Sequence, residues 1–166
     1  LVPSTIKNRK PGSTVAHQSG TFARDWQRAG SVEASREMDW LSADLYGDRY
    51  FLSFFAKLFH GLSESLPFEH INTWCWPNIF EHTLTSSTEE LRLNTFGAFA
   101  NGGAMVFIDA VDPVGTTHRR NYERVAPVYS ELRALEPFAG GRPCRDVGIY
   151  YSFENNVDVA DNGRDV

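Results

Sequence analysis

The chain has 166 residues, of which 42% are hydrophobic and 22% charged, a composition that permits one folded domain with a sizeable core. Its formal net charge of −5 argues against nucleic acid or an anionic membrane as the main partner, because both favour basic surfaces. No apolar run approaches the length of a membrane span and nothing at the start resembles a signal peptide, so the sequence leaves the compartment open, with the cytoplasm slightly favoured.

The first part of the chain predicts two strands and one helix. Residues 13–17 (STVAH) are β-prone and lie between Pro-Gly and Ser-Gly, which predicts a short strand. Residues 39–45 (DWLSADL) predict a second strand that ends at a turn. A helix is predicted over residues 49–62, because large apolar side chains recur there at helical spacing: Phe51, Phe54, Phe55, Leu58, Phe59 and Leu62.

A second strand–helix unit follows. Residues 68–74 (FEHINTW), introduced by proline, predict a third strand, and a loop rich in Trp, Pro, Asn and His comes after it. Ser87 and Glu90 resemble a capping box at the start of a helix over residues 88–100. The Asn-Gly-Gly sequence that follows is a strong helix-ending signal.

The last part predicts a strand over residues 104–110 and an amphipathic helix over residues 121–135. Proline and a Gly-Gly pair near residue 140 indicate a domain boundary, and residues 146–153 (DVGIYYSF) predict a strand that begins a further domain. We therefore divide the chain into residues 1–139 and residues 140–166, the second being the start of a further α/β domain. Both ends look cut, so we expect a piece of a longer polypeptide.

The alternation of strands and helices predicts an α/β fold with a parallel sheet. Both a doubly wound sheet and a closed (β/α)8 barrel, or TIM barrel, have this pattern. A doubly wound fold concentrates its site at one switch point, usually with a Gly-rich phosphate loop, and the sequence contains no such loop. Here polar or aromatic residues follow every strand after the first, which favours the barrel: Asp44 and Tyr46, Trp74 and Trp76, Asp109 and Asp112.

An acidic and aromatic rim without phosphate signatures suits a carbohydrate partner, since sugar rings stack on aromatic side chains and hydroxyls bind carboxylates. The alternative is that Trp74 and Trp76 only pack in the core, while Asp109 and Asp112 cap the next helix. No metal-ligand spacing occurs, and Cys75 and Cys144 are far apart, which predicts free thiols and no metal or other cofactor.

Three stretches together resemble the last part of the barrel of family 42 β-galactosidases and related glycosyl hydrolases: PFEHINTWCWPN, STEELRLNTFGAFANGGAMVFIDAVDPVGTTHRRNYERV and VGIYYS. The resemblance covers most of the chain from about residue 13. A weaker similarity to α-L-fucosidase-like barrels rests on GGAMVFIDAVDPVG. The resemblance implies the C-terminal half of a (β/α)8 barrel, followed by an α/β domain used in trimerisation, and hence a homo-oligomer formed through the part after residue 140.

The resemblance also implies site residues. Where the family carries its nucleophilic glutamate, late in the third predicted strand, this sequence has Asn72. His118 matches a sugar-binding histidine in the polar turn after the last strand, and Asp112 is a plausible companion. The family's acid/base residue would precede the first residue of this chain.

The best carboxylates for glycoside hydrolysis in this chain are Asp44 and Glu81, because that reaction needs two carboxyl groups. Asp44 could instead cap the helix that follows it, and Glu81 could belong to a solvated loop. The substrate-binding candidates are Tyr46, Asn72, Trp74, Trp76, Asp109, Asp112 and His118. Two other hypotheses remain open: a barrel that binds carbohydrate without cleaving it, and a structural portion that supports an oligomerising domain.

Overall fold

The computed structural model describes residues 2–18, 35–62, 67–76, 84–111, 113–151, 157–158 and 164–165. Its centre is a parallel sheet of three strands in the order β1-β2-β3: β1 (Leu41–Asp44), β2 (Phe68–Thr73) and β3 (Gly103–Ile108). The predictions of an α/β fold and of a parallel sheet are confirmed, and each of these strands lies within or next to its predicted range.

Four helices lie in the described part of the chain: α1 (Val2–Arg9), α2 (Arg49–Leu62), α3 (Thr88–Ala100) and α4 (Arg119–Arg133). A 3-10 turn (Glu136–Phe138) follows α4, and near the end β4 (Val157–Asp158) pairs antiparallel with β5 (Arg164–Asp165). The predicted ranges of α2 and α3 are confirmed, and α4 begins and ends two residues before its predicted range.

Local side-chain chemistry sets the ends of α2 and α3. Asp48 precedes α2, and its Oδ1 accepts hydrogen bonds from the backbone N–H groups of Tyr50 and Phe51, each at 2.9 Å. Ser87 caps α3 as predicted, since its Oγ accepts from the N–H of Glu90 at 3.1 Å. These bonds satisfy N–H groups that have no partner within the helix. Gly102 ends the turn after α3 at a φ of +82°, a conformation that glycine adopts without strain.

The apolar core lies on one face of the sheet. Phe59 of α2 stacks on Phe68 of β2, with ring centroids 5.8 Å apart. Tyr129 of α4 contacts Phe107 of β3, and its hydroxyl donates to the carbonyl of Met105 at 2.7 Å. Strand register places Phe68 and Phe107 on the same face, and α3 packs against α2, α4 and β3. The helices that connect and follow the strands therefore share this face, called here the helix face.

The other face of the sheet, called here the open face, carries the alternate side chains of the three strands: Ser42, Asp44, Glu69, Ile71, Thr73, Ala104, Val106 and Ile108. Two of its polar groups bond to each other, since Ser42 Oγ donates to Glu69 Oε2 at 2.8 Å. Ala104 is exposed, and Val106 and Ile108 are only partly buried. The packing contacts described for α2, α3 and α4 involve the helix face instead.

Two strand predictions are wrong. Residues 13–17 form no strand, although the next residue, Gln18, makes a single parallel bridge with Ser42. Residues 146–151 form no strand either, and Val147, Ile149 and Tyr150 are strongly exposed; residues 152–153 lie outside the described ranges. Neither run has a ladder with any of the described strands, and a β-prone run becomes a strand only where a neighbour supplies such a ladder.

α1 has no counterpart among the sequence predictions. Its Lys7 Nζ donates to Asp39 Oδ1 at 2.8 Å, and Asp39 Oδ2 accepts from the backbone N–H of Val15 at 2.7 Å. Both bonds hold the pKa of Asp39 below its usual value. α1 and Val15 are thus tied to Asp39, two residues before β1, by contacts between positions far apart in the sequence.

Gly103 lies opposite Phe68 in the ladder between β2 and β3, and the ring of Phe68 occupies the space of a side chain there. A Cβ at Gly103 would lie 2.2 Å from Phe68 Cε2. Because Phe68 is buried against Phe59, Gly103→Ala should lower the free energy of unfolding in urea by about 1–3 kcal/mol.

Gly97→Ala in α3 is the matched control. A Cβ at Gly97 would meet nothing within 4 Å. That substitution should raise stability by about 0.5–1 kcal/mol, because alanine favours a helix interior over glycine. A Gly103→Ala variant as stable as the wild type would contradict the packing described here.

Candidate functional site

The carboxyl ends of the three strands meet at one edge of the sheet, called here the rim. Asp44 ends β1 and Tyr46 follows it, Trp74 and Trp76 follow β2, and Asp109 follows β3. The structure thus brings these five candidates to the same edge, where parallel α/β folds bind ligands. Glu81 and Asp112 lie outside the described residues.

Asp44 is not used by the helix that follows it. Asp48 caps α2, so the predicted alternative in which Asp44 does so is not what the structure shows. Asp44 is the last residue of β1 and belongs to the open face, and its Oδ1 is buried without a hydrogen-bond partner in the described part of the chain. A buried carboxylate oxygen without a donor is costly, and a ligand hydroxyl would supply that donor.

Tyr46 lies beside this carboxylate. Burial first, and then the negative charge of Asp44 and the neighbouring Cys75, raise the pKa of the Tyr46 phenol to about 12. The phenol therefore stays protonated through the neutral range and keeps a hydroxyl donor. About a third of Tyr46 is exposed (36%), so its ring is accessible at the rim.

The two tryptophans after β2 have different environments. Trp74 is buried: its ring packs on Phe107 and Tyr122, with centroids 6.1 and 5.0 Å away, and its Nε1 donates to Asp109 Oδ1 at 2.8 Å. Trp76 is 49% exposed. Of the two, only Trp76 offers a ring face to a ligand. The alternative in which the tryptophans only pack in the core holds for Trp74.

Asp109 is hydrogen-bonded to the same buried cluster through one of its carboxylate oxygens. Its Oδ1 accepts from Trp74 Nε1 and from the backbone N–H of Ala110, at 2.8 and 2.9 Å. Its Oδ2 is buried and has no partner among the described residues. Asp109 does not cap α4, since His118 occupies that position, exposed and without a side-chain capping bond.

Asn72 lies on the helix face near the end of β2 and is buried. Its Oδ1 accepts from the backbone N–H of Thr73 at 2.7 Å. The amide therefore supports the backbone locally, and it does not belong to the open face with Asp44. His70, two residues earlier, is 1% exposed, and its burial lowers the pKa of the imidazole to about 4.

Sequence reasoning did not find Arg124. From α4, its guanidinium donates to the hydroxyl of Thr85 and to the carbonyl of Ser86, in the segment just before α3. The sequence offered no signal for it, because an arginine beside the apolar stripe of an amphipathic helix is ordinarily a solvated residue.

In the residues that the structure describes, no group of three or more His, Cys, Asp and Glu side chains could hold a metal ion. Cys75 is buried and Cys144 exposed, and the two thiols are free. The described helices include none with the length and apolar character needed to cross a membrane. Comparison with family models, curated proteins and solved structures found no match for this chain.

Among the described residues, the chemistry available at the rim is therefore that of two carboxylates with an unpartnered oxygen, Asp44 and Asp109, one protonated phenol and one exposed indole. The carboxylate of Asp44 accepts hydrogen bonds, the hydroxyl of Tyr46 donates or accepts them, and the ring of Trp76 stacks on an apolar surface. A polyhydroxylated ligand with apolar ring faces matches all three.

Proposed function

We propose that this chain forms the rim of a (β/α)8 glycoside hydrolase, similar to family 42 β-galactosidases or to fucosidase-like barrels, and that it binds a carbohydrate between Trp76 and Asp44. The observation that carries the proposal is the unpartnered Oδ1 of Asp44, beside Tyr46 at the carboxyl edge of the sheet. Such an edge is where barrel enzymes hold their substrates.

The arrangement of the strands supports the barrel over a doubly wound sheet. Sequence-consecutive strands are spatial neighbours, and the helices between and after them share one face. A doubly wound sheet places helices on both faces and reverses its strand order at a switch point. The bridge from Gln18 to Ser42 adds a further parallel neighbour on the other side of β1, in the order that a barrel follows.

Hydrolysis of a glycosidic bond needs a second carboxyl group near Asp44. We do not assign this role to Asp109, because its Oδ1 is bonded to Trp74 and it follows β3, which lies two strand spacings, roughly 10 Å, from β1. Glu69 lies near the amino end of β2 and is bonded to Ser42. Glu81, which falls between β2 and α3 in the sequence and outside the described residues, is the partner we propose.

The test is turnover of p-nitrophenyl β-D-galactoside and p-nitrophenyl α-L-fucoside by the full-length protein. Asp44→Asn and Glu81→Gln should each lower turnover by about 100-fold or more, because a carboxyl group that assists proton transfer or attack contributes on this scale. Asp146→Asn, at an exposed position after α4, is the control and should leave turnover unchanged. If neither substitution at the rim lowers turnover, the catalytic assignment is wrong.

A second candidate function is carbohydrate binding without cleavage. The observation that favours it is Asn72: an amide stands where the family has its nucleophile, and that amide is bonded to the backbone. Lactose bound in calorimetry, with neither aryl glycoside hydrolysed, would support this function over the first.

Both functions predict the same effect of removing the exposed indole. Trp76→Ala should weaken lactose binding measured by calorimetry about tenfold, or ~1.4 kcal/mol, since the stacking surface is lost. Tyr150→Ala removes an aromatic ring that is 88% exposed, far along the chain after α4, and should not change binding. Equal affinities of the Trp76→Ala variant and the wild type would remove Trp76 from the site.

A further inference from the structure

The loop between β2 and α3 starts and ends as an antiparallel pair, called here the loop base, residues 74–76 and 84–86. The Trp76 N–H donates to the Leu84 carbonyl at 2.9 Å, and the Ser86 N–H donates to the Trp74 carbonyl at 2.8 Å. Between these bonds Cys75 forms an antiparallel bridge with Thr85. Because Trp76 stands at the outer end of this pair, the orientation of its ring depends on how both arms of the loop base are held.

The first arm is held by burial. Trp74 is 4% exposed, is enclosed by aromatic rings, and is fixed at its indole nitrogen by Asp109. Cys75 is buried in the same cluster. This arm therefore takes its position from the core of the domain.

The second arm, besides its two backbone bonds to the first, is bonded to one charged side chain. Arg124 Nη1 donates to Thr85 Oγ1 and Nη2 donates to the Ser86 carbonyl, so the planar guanidinium spans two neighbouring acceptors. The next residue, Val125, is buried with Trp74 and Val128, so the backbone that carries the guanidinium is fixed in the core. Arg124 thus links a packed helix to the second arm of the loop base. That arm begins at Leu84, which is 55% exposed.

Resting on the proposed carbohydrate site, we propose that Arg124 is a positioning residue that sets the orientation of Trp76 at the rim. The described hydrogen bonds of Arg124 go to Thr85 and Ser86, not to Trp76 or Asp44; it acts by fixing these two residues, which pair with the segment that contains Trp76. Its loss would leave Trp74 in the core and release the exposed ring beyond it.

The full chain labelled with 5-fluorotryptophan tests this by fluorine NMR, with the Trp76 and Trp74 signals assigned from Trp76→Phe and Trp74→Phe. Arg124→Met should shift and broaden the Trp76 signal and leave the Trp74 signal in place. Thr85→Val removes one acceptor while keeping the shape of the side chain, and it should shift the Trp76 signal in the same direction. Arg124→Lys keeps a donor and should restore the signal in part.

Arg133→Met is the matched control, since Arg133 is exposed on the opposite side of the same helix. It should change neither signal. If Arg124→Met does not fold, the Trp76 and Trp74 signals of Thr85→Val are compared with those of the wild type instead. A Trp76 signal unchanged in the Arg124→Met and Thr85→Val variants would overturn the positioning role, and so would equal changes of the Trp74 and Trp76 signals, which indicate general loosening.

Titration of the same samples with lactose separates this inference from the proposed function. In the wild type lactose should move the Trp76 signal, and the Arg124→Met variant should bind about tenfold more weakly. If lactose moves no signal in the wild type, the proposed binding of carbohydrate at Trp76 is contradicted. The response of Trp76 to Arg124→Met without any sugar then decides the positioning role by itself.

Discussion

Replacing Phe59 by alanine should lower the free energy of unfolding by about 3–5 kcal/mol, among the largest costs expected for one core substitution. Phe59 is 1% exposed, and its ring stacks on Phe68. The substitution removes the stacked pair and leaves a cavity that β1 and β2 cannot close without moving Leu41 and Ala43, which belong to the same buried cluster. Unfolding in urea, followed by circular dichroism, measures the change.

Leu93→Ala provides the comparison for Phe59→Ala, because Leu93 is also in a helix but is 51% exposed. A surface substitution of this kind should change stability by no more than about 0.5 kcal/mol. If Phe59→Ala costs no more than Leu93→Ala, the core does not depend on the contact between α2 and β2.

Lowering the pH from 7 to 5 should reduce the free energy of unfolding by about 2 kcal/mol through His70 alone. The imidazole is buried on the helix face of β2, between Ala43 and Met105 in the strand register, and burial lowers its pKa from 6.5 to about 4. Its Nε2 has no partner among the described residues, so no described acceptor would stabilise a proton added to this nitrogen.

The direction follows from which state takes up the proton. Above pH 6.5 the imidazole is neutral in both the folded and the unfolded chain, and its contribution to stability is fully present. Between pH 6.5 and about 4 the unfolded chain binds the proton and the folded chain does not, so stability is lost as the pH falls. Arg92 and Lys7 lower the pKa values of Glu131 and Asp39, so these carboxylates start to lose their contributions only as the pH falls through their ordinary values of 4.5 and 3.8, at the acid end of this range or below it.

His70→Gln should remove most of the slope of stability against pH between 6.5 and 4, because glutamine does not titrate. His17→Gln, at an exposed position, should keep the slope of the wild type. Urea titrations at pH 7, 6 and 5 for the three proteins decide the matter. The same slope in wild type and His70→Gln would assign the acid sensitivity to another group.

The parts of the fold that local patterns predicted are those whose determinants lie close together in the sequence. The bounds of α2 followed from apolar spacing, and the start of α3 from Ser87 three residues before Glu90. Contacts over long distances were not predictable in this way. The helix α1 is tied down by Asp39, 32 residues from Lys7, and residues 13–17 fail to form a strand for want of a ladder that only the tertiary structure could supply.

The candidate site divides in the same manner. Parallel strands carry their following residues to one edge, so the meeting of Asp44, Trp74 and Asp109 could be predicted. Which tryptophan is buried could not, because Asp109 and Tyr122 decide it from positions 35 residues or more away. The role of Asp48 was within reach, since a carboxylate directly before Arg49 is a better helix cap than Asp44 four residues earlier.

The central position of β2 has a consequence for the exchange of backbone amide protons with solvent. Its Phe68–Thr73 backbone is paired on both sides, with β1 and with β3, whereas β3 has one partner among the described strands. The amide protons of β2 can exchange only when a neighbouring strand leaves, so they should report the opening of the whole sheet, while the amides on the outer side of β3 exchange through local fraying. Loss of either neighbouring strand–helix unit would therefore expose the β2 amides that point toward it.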